Sequence, residues 1–386
     1  MSEMQNIDVS AIEAGQYFTA PLYLDDRYIL LSPETPISEE LLNRLAKWKY
    51  AKVRTEGEAT DTAGSSSNSD ASVIEQVVED EEVLKEVHQL YQRLAEFTQK
   101  LFTSYVSSGE LSYQKITDEL KDTIEVVRRR RHYVTRVGDI PNNSRNYLVM
   151  HSVKTTILSL AIGLYFKLPP HKLLELGTAA LLHEIGMIRL PSKLYLSDQT
   201  LSDSEKKAIT AHPVLGFRLL RSHSFPMPIC LGILESHERV DGKGYPRGLA
   251  GERISQYARI IFVCDSFSAQ VSKRPFREAR DGHASILDML KERGTAYDEQ
   301  VLRVLIQLVS VYPVGTYVEL EDGARGVVVD TNEEDPRAPL VRLLKDPKGV
   351  ASGSLPTIRT DEDGHRVSRG LNQDERAALS KQTAES

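Results

Sequence analysis

The feature that most constrains this chain lies between Pro141 and about Val311, where apolar residues recur at helical spacing and short Gly/Pro turns separate the segments. The segments read as helices over Tyr147–Phe166, Lys172–Ile185, Asp203–Leu220, Pro228–Ser236, Ile254–Val271, His283–Glu292 and Asp298–Val311. A run of helices with apolar faces must close into a bundle. Charge nevertheless interrupts these faces. His183 and Glu184 end the apolar run AALLHEIG, and Asp265 sits inside RIIFVCDSF. A carboxylate in such a place is costly unless it is paired or binds a metal.

His151, His183, His212, His237 and, less clearly, His223 are set to face inward on these helices. A single buried histidine is more often a hydrogen-bonded core residue than a ligand. A single helical aspartate is more often a cap or an ion-pair partner. The case for a site rests on the set of an adjacent His-Glu pair, further histidines and an aspartate on neighbouring helices. Imidazoles and carboxylates without thiolates suit Mn, Fe, Ni, Co or Zn at a hydrolytic centre.

Around this bundle the chain divides further. Residues 1–58 read as a small α+β domain: a hairpin signal in Gln16–Leu24 and Tyr28–Leu31 around Asp25-Asp26, a helix over Ile37–Tyr50 with Ser38 at its N-cap, and a closing strand at Ala51–Arg54. Residues 59–71 are polar and Gly/Ser-rich and read as a flexible linker. Residues 72–137 form a helical connector, 313–346 a β appendage and 347–386 a flexible tail. In the connector, Ile74, Val77, Leu84, Val87, Tyr91, Leu94, Phe97 and Leu101 repeat at three- and four-residue steps over 72–105. That seam offers a homodimer contact or a face for the chain's own next helix.

A net charge of −7 argues against a chain built to coat a nucleic-acid polymer or an anionic membrane. The run Arg128–Arg131 is read as a solvated helix end. Cys230 and Cys264 lie in apolar runs and exclude a disulfide framework. No secretory signal is visible and no long uncharged apolar run stands out, so a cytoplasmic protein without membrane contact is expected.

The strings HEIGMIRLP, HPVLGFRLL and ESHERVDGKGYPRGLAGERISQYARIIFVCDSFSAQVSKRPFREA resemble the HD-GYP family of HD-domain metal phosphohydrolases over roughly Asn146–Met289. The resemblance implies an HD-type helical bundle at 138–312 and a mainly α fold. It implies a phosphodiesterase that hydrolyses the bacterial second messenger cyclic di-GMP with two divalent ions (Mn, Fe, Ni or Zn). It assigns His151, His183, Glu184, His212, His237 and Asp265 to the metals, with His183 and Glu184 as the catalytic pair. Tyr245 of the GYP loop, Arg274 and Arg277 would meet the ligand.

Three positions depart from the family pattern. Glu184 stands where the family has a metal-bridging aspartate, Ser236 where it has a histidine, and Met187 where it has a lysine. Tyr147 replaces the extra glutamate of trinuclear members, and Ser268 a second acidic residue beyond Asp265. Reduced activity is therefore expected. The alternative is a catalytically degenerate receptor for cyclic di-GMP or a protein-interaction module.

Overall fold

In the computed structural model the described residues are 5–20, 22–23, 29–31, 37–47, 52–55, 57–60, 69–135, 147–191, 194, 202–272, 280–332, 335–347, 356–361, 365–371, 375–376 and 379. They fall into two compact units, Met1–Glu82 and Val83–Ser386.

In the first unit, β1 (Gln5–Asp8), β3 (Leu22–Tyr23), β4 (Ile29–Leu31) and β5 (Lys52–Thr55) form an antiparallel sheet in the order β1-β5-β3-β4. The Ser38 hydroxyl accepts the N–H of Leu41 and caps α1 (Glu39–Lys47). Ile12, Phe18, Leu22, Ile37, Leu45 and Val53 make a small core. The expected hairpin is β3 against β4, while its Asp25-Asp26 turn lies outside the described residues. The linker expected at 59–71 is shorter than its composition implied. Ala59–Thr60 (β6) pairs with Tyr17–Phe18 (β2), and α2 begins at Ser69. Backbone pairing ordered two residues that have little apolar surface of their own.

The second unit is built on one helical core. Helices α2 (Ser69–Ser108, in this unit from Val83 onward), α3 (Tyr113–Arg129), α4 (Arg131–Val134), α5 (Tyr147–Tyr165), α6 (Pro170–Leu182), α7 (Asp203–Ile209), α8 (His212–Ser222), α9 (Met227–Leu234), α10 (Gln256–Val271), α11 (Gly282–Lys291) and α12 (Glu299–Val309) follow the sequence periodicity, except that the one helix expected over Asp203–Leu220 breaks at Thr210 and Ala211 into α7 and α8. Their starts carry the expected chemistry. Ser112, Ser255, Asp281 and Asp298 accept N–H groups of the first turn, and Ser202 with Glu205 forms a capping box.

Helix α5 runs through the middle. It is 19 residues long and apolar enough to cross a bilayer by length and composition, but 89% of its most apolar stretch is buried inside the protein. It is a core helix. On α2, the seam residues Val87, Tyr91, Leu94 and Leu101 are buried in this same core, so these four pack against the chain's own helices, while the side chains of Ile74 and Val77 lie outside the described residues. Arg128 pairs with Glu125, and Arg129 and Arg130 with Glu86, which makes the basic run a paired helix end.

Beyond the bundle, β7 (Tyr317–Leu320), β8 (Arg325–Asp330), β9 (Leu340–Lys345), β10 (Thr357–Arg359) and β11 (Val367–Gly370) form an antiparallel sheet in the order β10-β9-β8-β7-β11. The appendage expected to end at 346 therefore extends to Gly370. Both added strands lie at the sheet's edges, where one neighbour supplies the backbone hydrogen bonds and a polar sequence suffices. The inner strands bury Val318, Leu320, Ala324, Val328 and Val341.

Candidate metal centre

Five helices bring the site together. His151 lies on α5, His183 and Glu184 directly follow α6, His212 opens α8, and Asp265 lies on α10. His237 follows α9. Gly186 explains how closely two of these elements meet. A Cβ at Gly186 would lie 2.0 Å from the carbonyl oxygen of His212 and 2.7 Å from the Gly216 nitrogen. Only glycine lets the short 3-10 helix Ile185–Arg189 rest directly on the backbone of α8.

Six of the predicted residues converge. His151, His183, Glu184 and Asp265 form one donor group, and Glu184, His212 and His237 form a second; within each group the ligand atoms lie within 4.8 Å of one another. Glu184 belongs to both. Its Oε1 is 3.8 Å from His183 Nε2 and 4.0 Å from His237 Nε2, and its Oε2 is 3.5 Å from His212 Nε2. The Glu184 side chain thus reaches between the two groups.

The ring tautomers follow from hydrogen bonding. His183 Nδ1 lies 2.7 Å from the Ala180 carbonyl and His212 Nδ1 2.7 Å from the Ile209 carbonyl. Each must donate there, which turns the lone pair of Nε2 into the site. His212 Nε2 then accepts from His237 Nε2 at 3.0 Å. His151 places Nε2 2.7 Å from Asp265 Oδ1 and Nδ1 3.3 Å from the Ser268 hydroxyl.

Charge is stored here at a cost. Burial alone would raise the Asp265 carboxyl, but the hydrogen bond from His151 and the imidazoles of His183 and His237 close by hold it well below the usual range. Burial likewise acts to raise Glu184, and the imidazoles of His212, His183 and His237 outweigh it and leave the carboxyl lowered. Burial pushes His183 down, yet the nearby charges of Asp265 and Glu184 leave it raised. His237 is lowered to about 4 by burial and by His212. Two carboxylates thus resist protonation and the His237 imidazole stays neutral, as divalent ligation requires, while His183, held raised by the same carboxylates, would give up its proton to a cation.

A metal fits these residues. His183 Nε2 and Glu184 Oε2 are buried and have no hydrogen-bond partner. A buried lone pair with nothing to accept from is what a cation would complete.

Other predicted residues fall elsewhere. Tyr245 stacks on His237 with ring centroids 5.0 Å apart and planes 9° apart. Ser236 is buried, and its hydroxyl donates to the Ile233 carbonyl at 2.9 Å, facing its own helix. His223 is not in the cluster. It caps the end of α8, with Nδ1 2.9 Å from the Leu219 carbonyl and Nε2 2.8 Å from the Gly109 carbonyl. Arg274 and Arg277 lie outside the described residues. Sequence reasoning gave no role to Glu235 and Glu238, buried acids beside His237 that lie within the string ESHERVDGKGYP.

Residues 136–301 match the HD domain family. The chain is 31% identical over 238 residues to the cyclic di-GMP phosphodiesterase PdeB of Borreliella burgdorferi, covering 61% of this chain and 63% of that protein. It is 36% identical over 205 residues to a cyclic di-GMP phosphodiesterase of Pseudomonas aeruginosa, covering 52% of this chain and 49% of that protein. The chain thus spans about half to two thirds of the length of these curated relatives. A solved HDG"Y"P protein of Bdellovibrio bacteriovorus superposes with a TM-score of 0.48 at 17% identity, over 78% of this chain and 98% of that one.

Proposed function

We propose that the HD domain is a metal-dependent phosphodiesterase acting on cyclic di-GMP. The observation that carries the reading is the two donor groups joined by Glu184, with the buried Nε2 of His183 and Oε2 of Glu184 left unpartnered. The substrate is taken from the phosphodiesterases to which this domain is similar. Imidazole and carboxylate donors without thiolate favour Mn, Fe, Ni or Zn.

Bound ions of this kind polarise a phosphoryl group and activate water. The chain's own residues do the rest. The Ala180 and Ile209 carbonyls hold His183 and His212 in the tautomer that ligates. Asp265 keeps its charge at neutral pH because the His151 imidazole donates to it and the His183 and His237 imidazoles lie close by. Glu184 holds the two donor groups in fixed relation. Tyr245 covers His237 and keeps bulk water off that ring.

One observation favours a second reading, a receptor that binds the dinucleotide without hydrolysing it. Ser236 spends its hydroxyl on Ile233, so the second group has three donors against four in the first. A weakly held second ion would leave binding intact and slow the chemistry.

Metal analysis of protein purified without chelators, with turnover of cyclic di-GMP under Mn, Fe, Ni and Zn, separates the two. Two equivalents per chain and turnover abolished by His183→Ala support the enzyme. Tight dinucleotide binding without turnover under all four metals overturns it in favour of the receptor.

A further inference from the structure

Two buried acids take no part in the donor groups. Glu235 and Glu238 flank His237 and are 3% and 2% exposed. Every carboxylate oxygen is committed to the chain that follows. Glu238 Oε1 accepts the N–H of Arg247 at 2.6 Å and Oε2 that of Leu249 at 2.9 Å. Glu235 Oε1 accepts from the Arg247 guanidinium at 3.0 Å and Oε2 from the N–H of Ser255 at 2.8 Å. Two desolvated carboxylates are an expensive way to hold a surface loop, which raises the question of what the loop must hold in turn.

The loop folds back onto the backbone that carries His237. The N–H of Tyr245 donates to the His237 carbonyl at 3.1 Å. A Cβ on Gly244 would lie 2.3 Å from the Arg239 nitrogen, so the loop rests against 237–239 with no room for a side chain. The Tyr245 ring is thereby laid flat on the His237 imidazole and edge-on to His212.

His237 needs this support more than its neighbours do. His183 and His212 are each oriented by a carbonyl 2.7 Å from Nδ1. The Nδ1 of His237 faces Asp265 Oδ2 at 3.8 Å, beyond hydrogen-bond reach. Packing against Tyr245 takes the place of the missing carbonyl.

We infer that Glu238, assisted by Glu235, is a positioning residue for metal binding: it pins Arg247–Leu249 so that Tyr245 fixes the His237 imidazole with Nε2 toward His212 and Glu184. The inference rests on the metal reading above and not on the identity of the substrate.

The test is Mn2+ binding to the full chain by calorimetry, with the His237-dependent step identified as the one lost in His237→Ala. Glu238→Gln keeps the shape but offers an amide N–H to a backbone N–H. It is expected to weaken the His237-dependent step about tenfold, leaving the other step within about twofold. Tyr245→Ala should weaken the same step by a similar factor. The double variant should be no weaker than Tyr245→Ala alone, within about twofold, because Glu238 acts through that ring.

Unchanged Mn2+ binding in Glu238→Gln, or losses that multiply in the double variant, overturns the inference. If Glu238→Gln does not fold, Arg247→Ala breaks the Glu235 pair at a half-exposed side chain and enters the same cycle. Turnover is not the readout, so an inactive wild type would sink the proposed reaction and leave this test standing.

Discussion

The helical core and the C-terminal sheet solve the same problem with opposite materials. The sheet closes on Val318, Leu320, Ala324, Val328 and Val341 and surrounds them with exposed or half-buried polar side chains. The bundle buries more apolar surface, and at its centre it also buries His151, His183, His212, Glu184 and Asp265. Stability alone explains the first arrangement. It does not explain the second, because two carboxylates in a dry interior are tolerated only by virtue of the imidazoles around them. The difference teaches where to look: function sits where a fold accepts charge that its packing does not need.

The strongest way to break this contrast is Asp265→Asn, an isosteric change that removes one buried charge. Loss of groups merely hydrogen-bonded to a ligand costs 10–100-fold in metal affinity, so removing a donor should cost at least about a hundredfold. The metal-free midpoint should move by only a few degrees, about 1 kcal/mol. Calorimetric Mn2+ titration and thermal melts check both; an unaltered affinity would remove Asp265 from the donor set.

Gly186→Ala attacks the frame instead of the donors. Its methyl would meet the His212 carbonyl at 2.0 Å, and a shift on the order of an ångström can cost about a hundredfold in turnover. The accompanying strain should cost about 1–3 kcal/mol in a denaturant melt. Wild-type turnover in this variant would show that the close approach of the two elements is dispensable.

Leu320→Ala, 1% exposed in the sheet, should cost about 2–5 kcal/mol and leave Mn2+ affinity of the folded protein where it was. Coupled loss of affinity would erase the distinction between the two regions.

The smallest effect is in pH. His237 is lowered to about 4, so between that value and its ordinary 6.5 the unfolded chain takes up a proton that the folded one refuses. Stability of the metal-free protein should therefore fall as pH drops from about 6.5 toward 4. His183 is raised, so its contribution runs the other way, present at lower pH and lost as pH rises past its raised value. Melts of wild type and His237→Asn from pH 4 to 7 should differ in slope; parallel curves would count against a neutral His237.

Much of the bundle could be read from periodicity, because long amphipathic and fully apolar helices leave a strong pattern. His183, Glu184 and Asp265 were legible for a related reason, since polar residues in apolar runs stand out; His151, His212 and His237 were inward-facing candidates that the family resemblance singled out. Other features left no such mark. His223 has helical spacing like the donors, but at the end of α8 its ring nitrogens meet the Leu219 carbonyl one turn back and the Gly109 carbonyl after α2, outside the donor cluster. Edge strands β10 and β11 are polar because one hydrogen-bonded neighbour and a half-covered face hold them. The roles of Glu235 and Glu238 depend on backbone N–H groups up to 20 residues away, which no side-chain pattern announces.

The contact at Gly186 has one more consequence. Since the turn after α6 and the start of α8 touch backbone to backbone, their spacing is indifferent to which acid occupies 184. The frame can trade a short carboxylate for a long one, or an imidazole at 236 for a hydroxyl, and still hold its shape. Such a scaffold lets the chemistry of its interior drift by single exchanges while the fold records none of them.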